Sequence, residues 1–155
     1  MKVEIPGYKI FQLHHLLLDF NGTIAVDGVV KEEVRQLIRQ LAEQYSIHVL
    51  TSDTRGTSAD QTTGLPLTLQ TFAGDEAALA KAAIARELGG EHCACIGNGR
   101  NDLLMFQTCA LSIAVLEEEG LYPSLLNSAD LMVRSSEDAL KLLLDPKRLI
   151  AGLRG

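Results

Sequence analysis

The sequence alternates short apolar runs with longer amphipathic stretches, and this alternation limits the fold more than any other feature. His14–Phe20 reads HHLLLDF, which predicts a strand buried on both faces, and Ser46–Thr51 contains IHVLT, which predicts a second strand. Between them, Lys31–Tyr45 carries apolar residues at helical spacing. Strands that alternate with helices require right-handed crossovers, which predicts a doubly wound, three-layer α/β/α Rossmann-like fold around a mainly parallel sheet.

The same alternation continues along the rest of the chain, so residues 1–155 are predicted to form a single domain. Residues 1–13 are predicted to form a hairpin around Pro6-Gly7 that extends the sheet edge. Pro146 is predicted to end the last helix and leave 145–155 as a C-terminal tail. The further predicted strands are Leu67–Phe72, Cys93–Ile96, Leu111–Val115 and Asp130–Val133. The further predicted helices are Asp75–Leu88, Asn101–Cys109 and Ser135–Leu144. Asp75 is the predicted N-cap of the first of these helices, and Ser135 and Asp138 are predicted to form a capping box at the last.

Charge and composition exclude several classes of partner. The formal net charge is -6, so no broad basic face is predicted, which argues against nucleic acid or an anionic membrane. No stretch reaches the roughly 20 apolar residues that span a bilayer, and the first residues lack a signal-peptide run. Three cysteines without paired spacing favour a reducing compartment, so a cytoplasmic protein is expected.

Small polar or acidic residues follow three of the predicted strands. Asp19 follows LLL, Thr51-Ser52-Asp53 follows HVL, and Gly97-Asn98-Gly99-Arg100-Asn101-Asp102 follows CACI. Because doubly wound sheets bind ligands at the carboxyl ends of their strands, these clusters are predicted to meet at one edge. Asp53 is expected to cap the next short helix instead.

The residue types at these strand ends suit phosphoryl transfer. Asp19 and Asp102 together with neutral oxygens form a hard-oxygen site suited to Mg²⁺. Asp19 could then attack phosphorus and form an aspartyl-phosphate. The turn at Gly22 offers backbone amides to an oxyanion. Thr51, favoured over Ser52 and Thr54, is expected to bind a phosphoryl oxygen, and Lys81 to neutralise the charge of the transition state.

DFNGT at Asp19–Thr23, the strand-terminal Thr51, the helical Lys81 and GNGRND at 97–102 resemble the four ordered motifs of the haloacid dehalogenase-like superfamily. GNGRNDLLMFQTCALSIAV is especially similar to the hinge motif of P-type ATPase phosphorylation domains, and the small soluble P-type ATPase-like proteins are the nearest relatives that the pattern indicates.

The resemblance implies a role for each matching position. Asp19 would be the nucleophile and a metal ligand, and Asn21 would give its backbone carbonyl to Mg²⁺. Thr51 and Lys81 would hold the phosphoryl group, with Gly22 and Ser52 beside it. Asn98 and Asp102 would sit at the metal.

Two positions depart from the superfamily pattern. Phosphatases of the superfamily usually carry Asp where Asn21 stands, as general acid and base, and an amide cannot transfer a proton in that role. Asn98 stands where Asp is usual, so one negative charge is lost and weaker metal affinity is expected. Slow hydrolysis of any aspartyl-phosphate follows from the first departure.

The spacing of the motifs leaves no room for a cap domain. Residues 24–50 and 52–80, the two gaps where the superfamily inserts caps, hold 27 and 29 residues. An open site is expected, which accepts a phosphorylated small molecule or a phosphoprotein, or borrows a lid from a second copy in a homo-oligomer.

The sequence therefore supports a magnesium-dependent phosphatase, a phosphoric monoester hydrolase of modest turnover. The alternative is a weak or inactive domain that binds phosphate, Mg²⁺ or a protein partner as a regulator, which Asn21 and Asn98 favour. A receiver-like domain is disfavoured because the acidic pair expected before the phosphorylated Asp19 is missing.

Overall fold

A computed structural model describes residues 1–155 and contains ten strands and six α-helices. The strands are β1 (Lys2–Glu4), β2 (Ile10–Gln12), β3 (His15–Leu18), β4 (Ala25–Val26), β5 (Val29–Val30), β6 (Ser46–Thr51), β7 (Thr68–Thr71), β8 (Cys93–Gly97), β9 (Leu111–Val115) and β10 (Leu131–Val133). The helices are α1 (Glu32–Leu41), α2 (Ser58–Thr62), α3 (Ala77–Glu87), α4 (Leu103–Phe106), α5 (Ser136–Leu144) and α6 (Pro146–Leu153). None of the helices is both long enough and apolar enough to cross a lipid bilayer.

Six strands form a parallel sheet in the order β10-β9-β8-β3-β6-β7, which confirms the predicted α/β fold. Strand β3 lies at its centre, where His15 is opposite Cys93 of β8 and Ser46 of β6. From β3 the chain adds β6 and β7 on one side and then returns to add β8, β9 and β10 on the other. The sheet therefore has a topological switch point beside β3, where ligands bind in folds of this kind.

Helices cover both faces of the sheet because successive side chains of a buried strand point to opposite sides. Leu16 and Leu18 pack into the larger apolar cluster with α1 and α5, whereas Leu17 packs with α3 and α4. Helix α1 buries four apolar residues at helical spacing, with Glu32 and Glu33 in its first turn, where the helix dipole favours negative charge. The four buried residues of α1 are Val34, Leu37, Ile38 and Leu41.

Both chain termini differ from their predicted structures. Strands β1 and β2 do form a hairpin, but they pair only with each other and do not extend the central sheet. The stretch 145–155, predicted as a tail, contains helix α6. Pro146 occupies the first position of that helix, where the missing amide proton of proline has no cost, and Asp145 caps it by accepting from the Lys147 amide.

Several helix boundaries also differ from prediction. Asp75 does not cap α3, which begins at Ala77 without any side-chain cap. The predicted helix Asn101–Cys109 is a 3₁₀ turn at Arg100–Asp102 followed by the short helix α4. Ser135 does cap α5 as predicted, by accepting from the amide of Asp138.

No separate cap domain is present. The chain between Thr23 and Thr51 holds the antiparallel hairpin β4–β5 and helix α1, and the chain between Thr51 and Lys81 holds α2 and β7. The carboxyl edge of the sheet is therefore covered only by short connections.

Candidate active site

The carboxyl ends of three neighbouring strands bring the predicted residues together in one polar cleft. Asp19 follows β3, Thr51 ends β6, and Asn98 follows β8, with β3 between the other two strands. The cleft has a volume of about 340 Å³ and no apolar lining residue. Its lining residues are Asp19, Asn21, Thr51, Ser52, Thr54, Asn98, Gly99, Arg100 and Asn101.

Lys81 connects two carboxylates beneath this cleft. Its side chain is fully buried, and its Nζ donates to Oδ1 of Asp19 at 2.6 Å and to Oδ1 of Asp102 at 2.7 Å. Helix α3 thus supplies a cation directly to the carboxylate that ends β3. A buried lysine is rare unless it is paired, and these two ion pairs balance its charge.

Asp102 bonds not only Lys81 but also the glycine-rich turn that follows β8. Its Oδ2 accepts from the backbone amides of Asn98 at 3.1 Å and Gly99 at 2.9 Å. A Cβ at Gly97 would lie 2.5 Å from this oxygen, so only glycine fits at the end of β8. Both oxygens of Asp102 are therefore engaged, by Lys81 and by the turn, and the residue does not line the cleft.

The surroundings change the proton affinity of Asp19 and Lys81. Burial and the negative charge of Asp102 raise the pKa of Asp19 to about 6, although the Lys81 ammonium acts in the opposite direction. Burial lowers the pKa of Lys81, but Asp102 and Asp19 raise it further and leave it above its ordinary value. Lys81 is therefore charged at neutral pH, and Asp19 is largely ionised there.

Thr23 links Asp19 to the turn after β8, a contact that the sequence analysis did not predict. Its hydroxyl lies 3.2 Å from Oδ2 of Asp19 and 3.1 Å from Oδ1 of Asn98. The residue is fully buried, and its place at the end of DFNGT was the available signal. Asn101 was also missed, although its Oδ1 lies 3.5 Å from the Nζ of Lys81.

Gly22 and Asn98 pack against each other. Gly22 has φ +72°, and a Cβ there would overlap the Asn98 amide, so the turn requires glycine for two reasons. The Nδ2 of Asn98 donates to the carbonyl of Gly120 at 2.8 Å, and its backbone carbonyl accepts from the Tyr122 amide. Asn98 therefore fastens the connection after β9 to the cleft.

Thr51 and Ser52 lie on the β6 side of the cleft. The Oγ1 of Thr51 accepts from the Asp53 amide at 2.9 Å, which leaves its hydroxyl proton for a ligand. Asp53 accepts from the amides of Thr57 and Ser58, so its carboxylate lies at the start of α2 as predicted, although Thr57 is the N-cap residue itself. The φ of Asp53, +47°, is in the left-handed region, which Asp adopts more readily than most residues.

A cluster of three charged residues, termed the rim cluster, joins the connections around the cleft. Arg55 lies 3.0 Å from Oδ1 of Asp27 and 3.6 Å from Oε1 of Glu119. The Asp27 amide donates to the same Glu119 carboxylate at 2.8 Å. These contacts tie the β4–β5 hairpin to the connections that follow β6 and β9.

The cleft offers oxygen ligands to a hard cation. Asp19 provides a carboxylate, Asn98 an amide oxygen, and Asn21 an Oδ1 that is buried without a hydrogen-bond partner. Nowhere do three or more His, Cys, Asp or Glu side chains gather in a metal-binding arrangement, so a cation here depends on amide or backbone oxygens. This donor set fits Mg²⁺, which prefers oxygen and keeps several waters.

The sequence resembles that of a curated protein of unassigned role. The chain is 39% identical over 80 residues to the uncharacterized protein MJ0073 of Methanocaldococcus jannaschii, a match that covers 49% of this chain and 86% of that protein. No protein-family model matches the chain.

Solved structures share the fold at low sequence identity. The 3-deoxy-D-manno-octulosonate 8-phosphate phosphatase of Moraxella catarrhalis, solved with magnesium, phosphate and KDO, superposes with a TM-score of 0.72 at 15% identity and covers 86% of each chain. The cobalt-bound deoxy-D-mannose-octulosonate 8-phosphate phosphatase of Haemophilus influenzae has a TM-score of 0.65 at 20% identity and covers 86% of this chain and 88% of that one. These likenesses show the haloacid dehalogenase-like fold.

Proposed function

Because the chain belongs to the same family as the uncharacterized protein MJ0073 and has the haloacid dehalogenase-like fold, we propose that it is a magnesium-dependent phosphatase acting through an aspartyl-phosphate on Asp19. The observation that carries the proposal is the buried Lys81, whose ammonium bonds Asp19 at 2.6 Å beneath an entirely polar cleft. Two structural neighbours are named as sugar-acid phosphate phosphatases, which supports the same reaction class.

The proposed first step transfers a phosphoryl group to Asp19. A carboxylate oxygen of Asp19 forms a bond to phosphorus as the bond to the leaving oxygen breaks, and that oxygen takes a proton from water. Lys81 and the free hydroxyl proton of Thr51 face the negative charge of the phosphoryl group. Ser52 and the backbone around Gly22 complete the phosphate side of the cleft. Hydrolysis of the acyl phosphate by water then restores Asp19 and releases phosphate.

Asp19, Asn21 and Asn98 are the residues that would hold Mg²⁺, with Asp102 behind them. When bound, Mg²⁺ supplies positive charge that offsets repulsion between the carboxylate and the phosphate. With a single carboxylate facing the cleft, the affinity for the cation is expected to be low, because ligand charge is the main source of binding.

Asn21 is expected to slow the second step. A side-chain amide cannot remove a proton from the attacking water, so the aspartyl-phosphate should persist. This property and the motifs DFNGT and GNGRND are the grounds on which we propose kinship with the soluble P-type ATPase-like phosphatases.

Hydrolysis of p-nitrophenyl phosphate with Mg²⁺ or with EDTA tests the proposal. The chain should hydrolyse it only with Mg²⁺, and Asp19→Asn should lose at least about a hundredfold in turnover because the nucleophile is removed. Asp60→Asn is the matched control, since Asp60 is exposed on α2. Equal rates for Asp19→Asn and Asp60→Asn would contradict the proposal.

A second candidate function is a regulatory domain that binds phosphate and Mg²⁺ without turnover. The amides of Asn21 and Asn98 favour it, because both occupy positions where a carboxylate would speed catalysis or tighten the metal. Calorimetric binding of phosphate in the presence of Mg²⁺, together with no hydrolysis by either the chain or Asn21→Asp, would select this function over the first.

The open cleft suits a phosphorylated small molecule or a phosphoprotein, and a lid from a second copy would explain how such a cleft excludes water during the reaction. All three cysteines are free, which is consistent with work in the reducing cytoplasm.

A further inference from the structure

A second cavity opens beside the polar cleft. It has a volume of about 370 Å³ and shares two of its five lining residues, Arg100 and Asn101, with the cleft. Gly74, Asp75 and Ala78, from the start of helix α3 and the turn before it, complete the lining. The second cavity therefore adjoins the polar cleft at Arg100 and Asn101.

The second cavity carries two opposite charges that have no partner. Arg100 and Asp75 both line it, yet neither makes a salt bridge or a side-chain hydrogen bond to any residue. The other arginine near the cleft, Arg55, is bound to Asp27 and Glu119, and Lys81 is bound to two carboxylates. Arg100 is thus the cation beside the cleft that remains available to a ligand.

The lining also excludes other kinds of leaving group. Ala78 is the single apolar residue, so the cavity offers no surface on which an aryl group or a base could stack. A leaving group that carries only a carboxylate would be repelled by the like charge of Asp75, and one that carries only an ammonium would be repelled by Arg100. A group that carries both charges satisfies both residues.

Resting on the proposed phosphatase function, we propose that the second cavity binds a small zwitterionic leaving group, with its carboxylate on Arg100 and its ammonium on Asp75. The substrate class is the phosphate monoester of a hydroxy amino acid. Arg100 and Asp75 are specificity-determining residues, and they stand outside the group that reacts with phosphorus. The guanidinium of arginine matches a carboxylate in two parallel hydrogen bonds, which suits it to this role.

Three probes of similar size separate the two charges. O-phosphoserine carries both, 3-phosphoglycerate has a hydroxyl in place of the ammonium, and phosphoethanolamine lacks the carboxylate. The kcat/KM of the chain should be about tenfold higher for O-phosphoserine than for either other probe, since charged hydrogen bonds favour it. Calorimetric Kd values should follow the same order and do not depend on turnover.

Two variants test which residue binds the carboxylate of the ligand and which binds its ammonium. Arg100→Gln should remove the preference for O-phosphoserine over phosphoethanolamine, and Asp75→Asn should remove the preference for O-phosphoserine over 3-phosphoglycerate. Arg86→Gln, which alters an exposed arginine in the last turn of α3, should leave both ratios unchanged. The ratios are measured within each variant, so a general loss of activity does not affect them.

Equal kcat/KM and equal Kd for the three probes would overturn the inference, as would ratios that respond alike to Arg100→Gln and Arg86→Gln. If p-nitrophenyl phosphate is hydrolysed under these conditions, the proposed phosphatase function survives that result. If no phosphate ester is hydrolysed but the Kd values differ as stated, the phosphatase proposal fails and the ligand assignment stands.

Discussion

The Nδ2 of Asn98 donates to the carbonyl oxygen of Gly120 at 2.8 Å and so fastens the connection after β9 beside the cleft. An aspartate could not make this bond, because a carboxylate oxygen would face a carbonyl oxygen. The amide at this position therefore makes a structural hydrogen bond, at the loss of a negative charge at the proposed cation site.

Asn98→Asp should remove the hydrogen bond to Gly120 and restore a negative charge at this position. We expect the chain in EDTA to lose about 1 kcal/mol of unfolding free energy, because a partly buried acceptor is left facing an acceptor. Affinity for Mg²⁺ should rise, since a second carboxylate joins Asp19. Urea unfolding and calorimetric Mg²⁺ titration measure the two effects. Asn127→Asp, at an exposed position, is the control, and equal stability of the two variants would disagree with this account.

Asn21→Asp should speed hydrolysis of the proposed aspartyl-phosphate. The Oδ1 of Asn21 is buried without a partner, and its Nδ2 lies 3.3 Å from the hydroxyl of Thr54. A carboxylate there can act as a general base, which contributes about a hundredfold or more to such steps. Steady-state turnover and acid-quenched phosphoenzyme levels report the change, with turnover rising and phosphoenzyme falling. Asn21→Ser removes the amide without adding a base and should not show the increase.

Lys81→Met should destabilise the chain strongly. It leaves the carboxylates of Asp19 and Asp102 buried without their cation, and breaking a buried ion pair in this way costs about 3–5 kcal/mol. Urea unfolding should show the loss, while Lys147→Met, at an exposed position, should change stability by less than about 0.5 kcal/mol. Adding Asp102→Asn to Lys81→Met should recover part of the loss, and no recovery would argue against charge as the cause.

His48 should make the fold sensitive to acid. The Nε2 of His48 and the Nδ1 of His15 are both buried without partners, and the two ring centroids are 5.6 Å apart. Burial, and then the neighbouring His15, lowers the pKa of His48 below 6.5. Because the folded chain binds this proton less readily than the unfolded chain, stability is retained above pH 6.5 and falls as the pH drops below it. His48→Leu should lose less stability between pH 7.5 and pH 5 than the parent chain, whereas parallel losses would contradict the prediction.

The sequence predicted the inner strands of the central sheet well because most of their residues are apolar and buried. Ser46–Thr51 and Leu111–Val115 have the predicted bounds. The β4–β5 hairpin escaped prediction because each strand has only two residues. Helix α6 was missed because proline was interpreted as a terminator, although it is also favoured in the first turn.

The site was predicted as a set of residues but not as a network. Apolar runs ending in polar clusters were enough to place Asp19, Thr51 and Asn98 at one edge. The bond of Asn98 to Gly120 and the bonds of Lys81 to Asp19 and Asp102 depend on how separate elements meet at the edge of the sheet. These bonds join residues that are about 20 to 60 positions apart, so local sequence patterns do not predict them.

No apolar residue lines the cleft, so we expect ligand binding there to be sensitive to ionic strength. With no apolar side chain to pack against, a ligand would be held mainly by charge and hydrogen bonds. Mobile ions compete with such attraction at open sites, because the Debye length shrinks from about 10 Å at 0.1 M salt to about 3 Å at 1 M. We therefore expect concentrated salt to weaken the binding of any charged ligand to the cleft, while the apolar core of the protein stays folded.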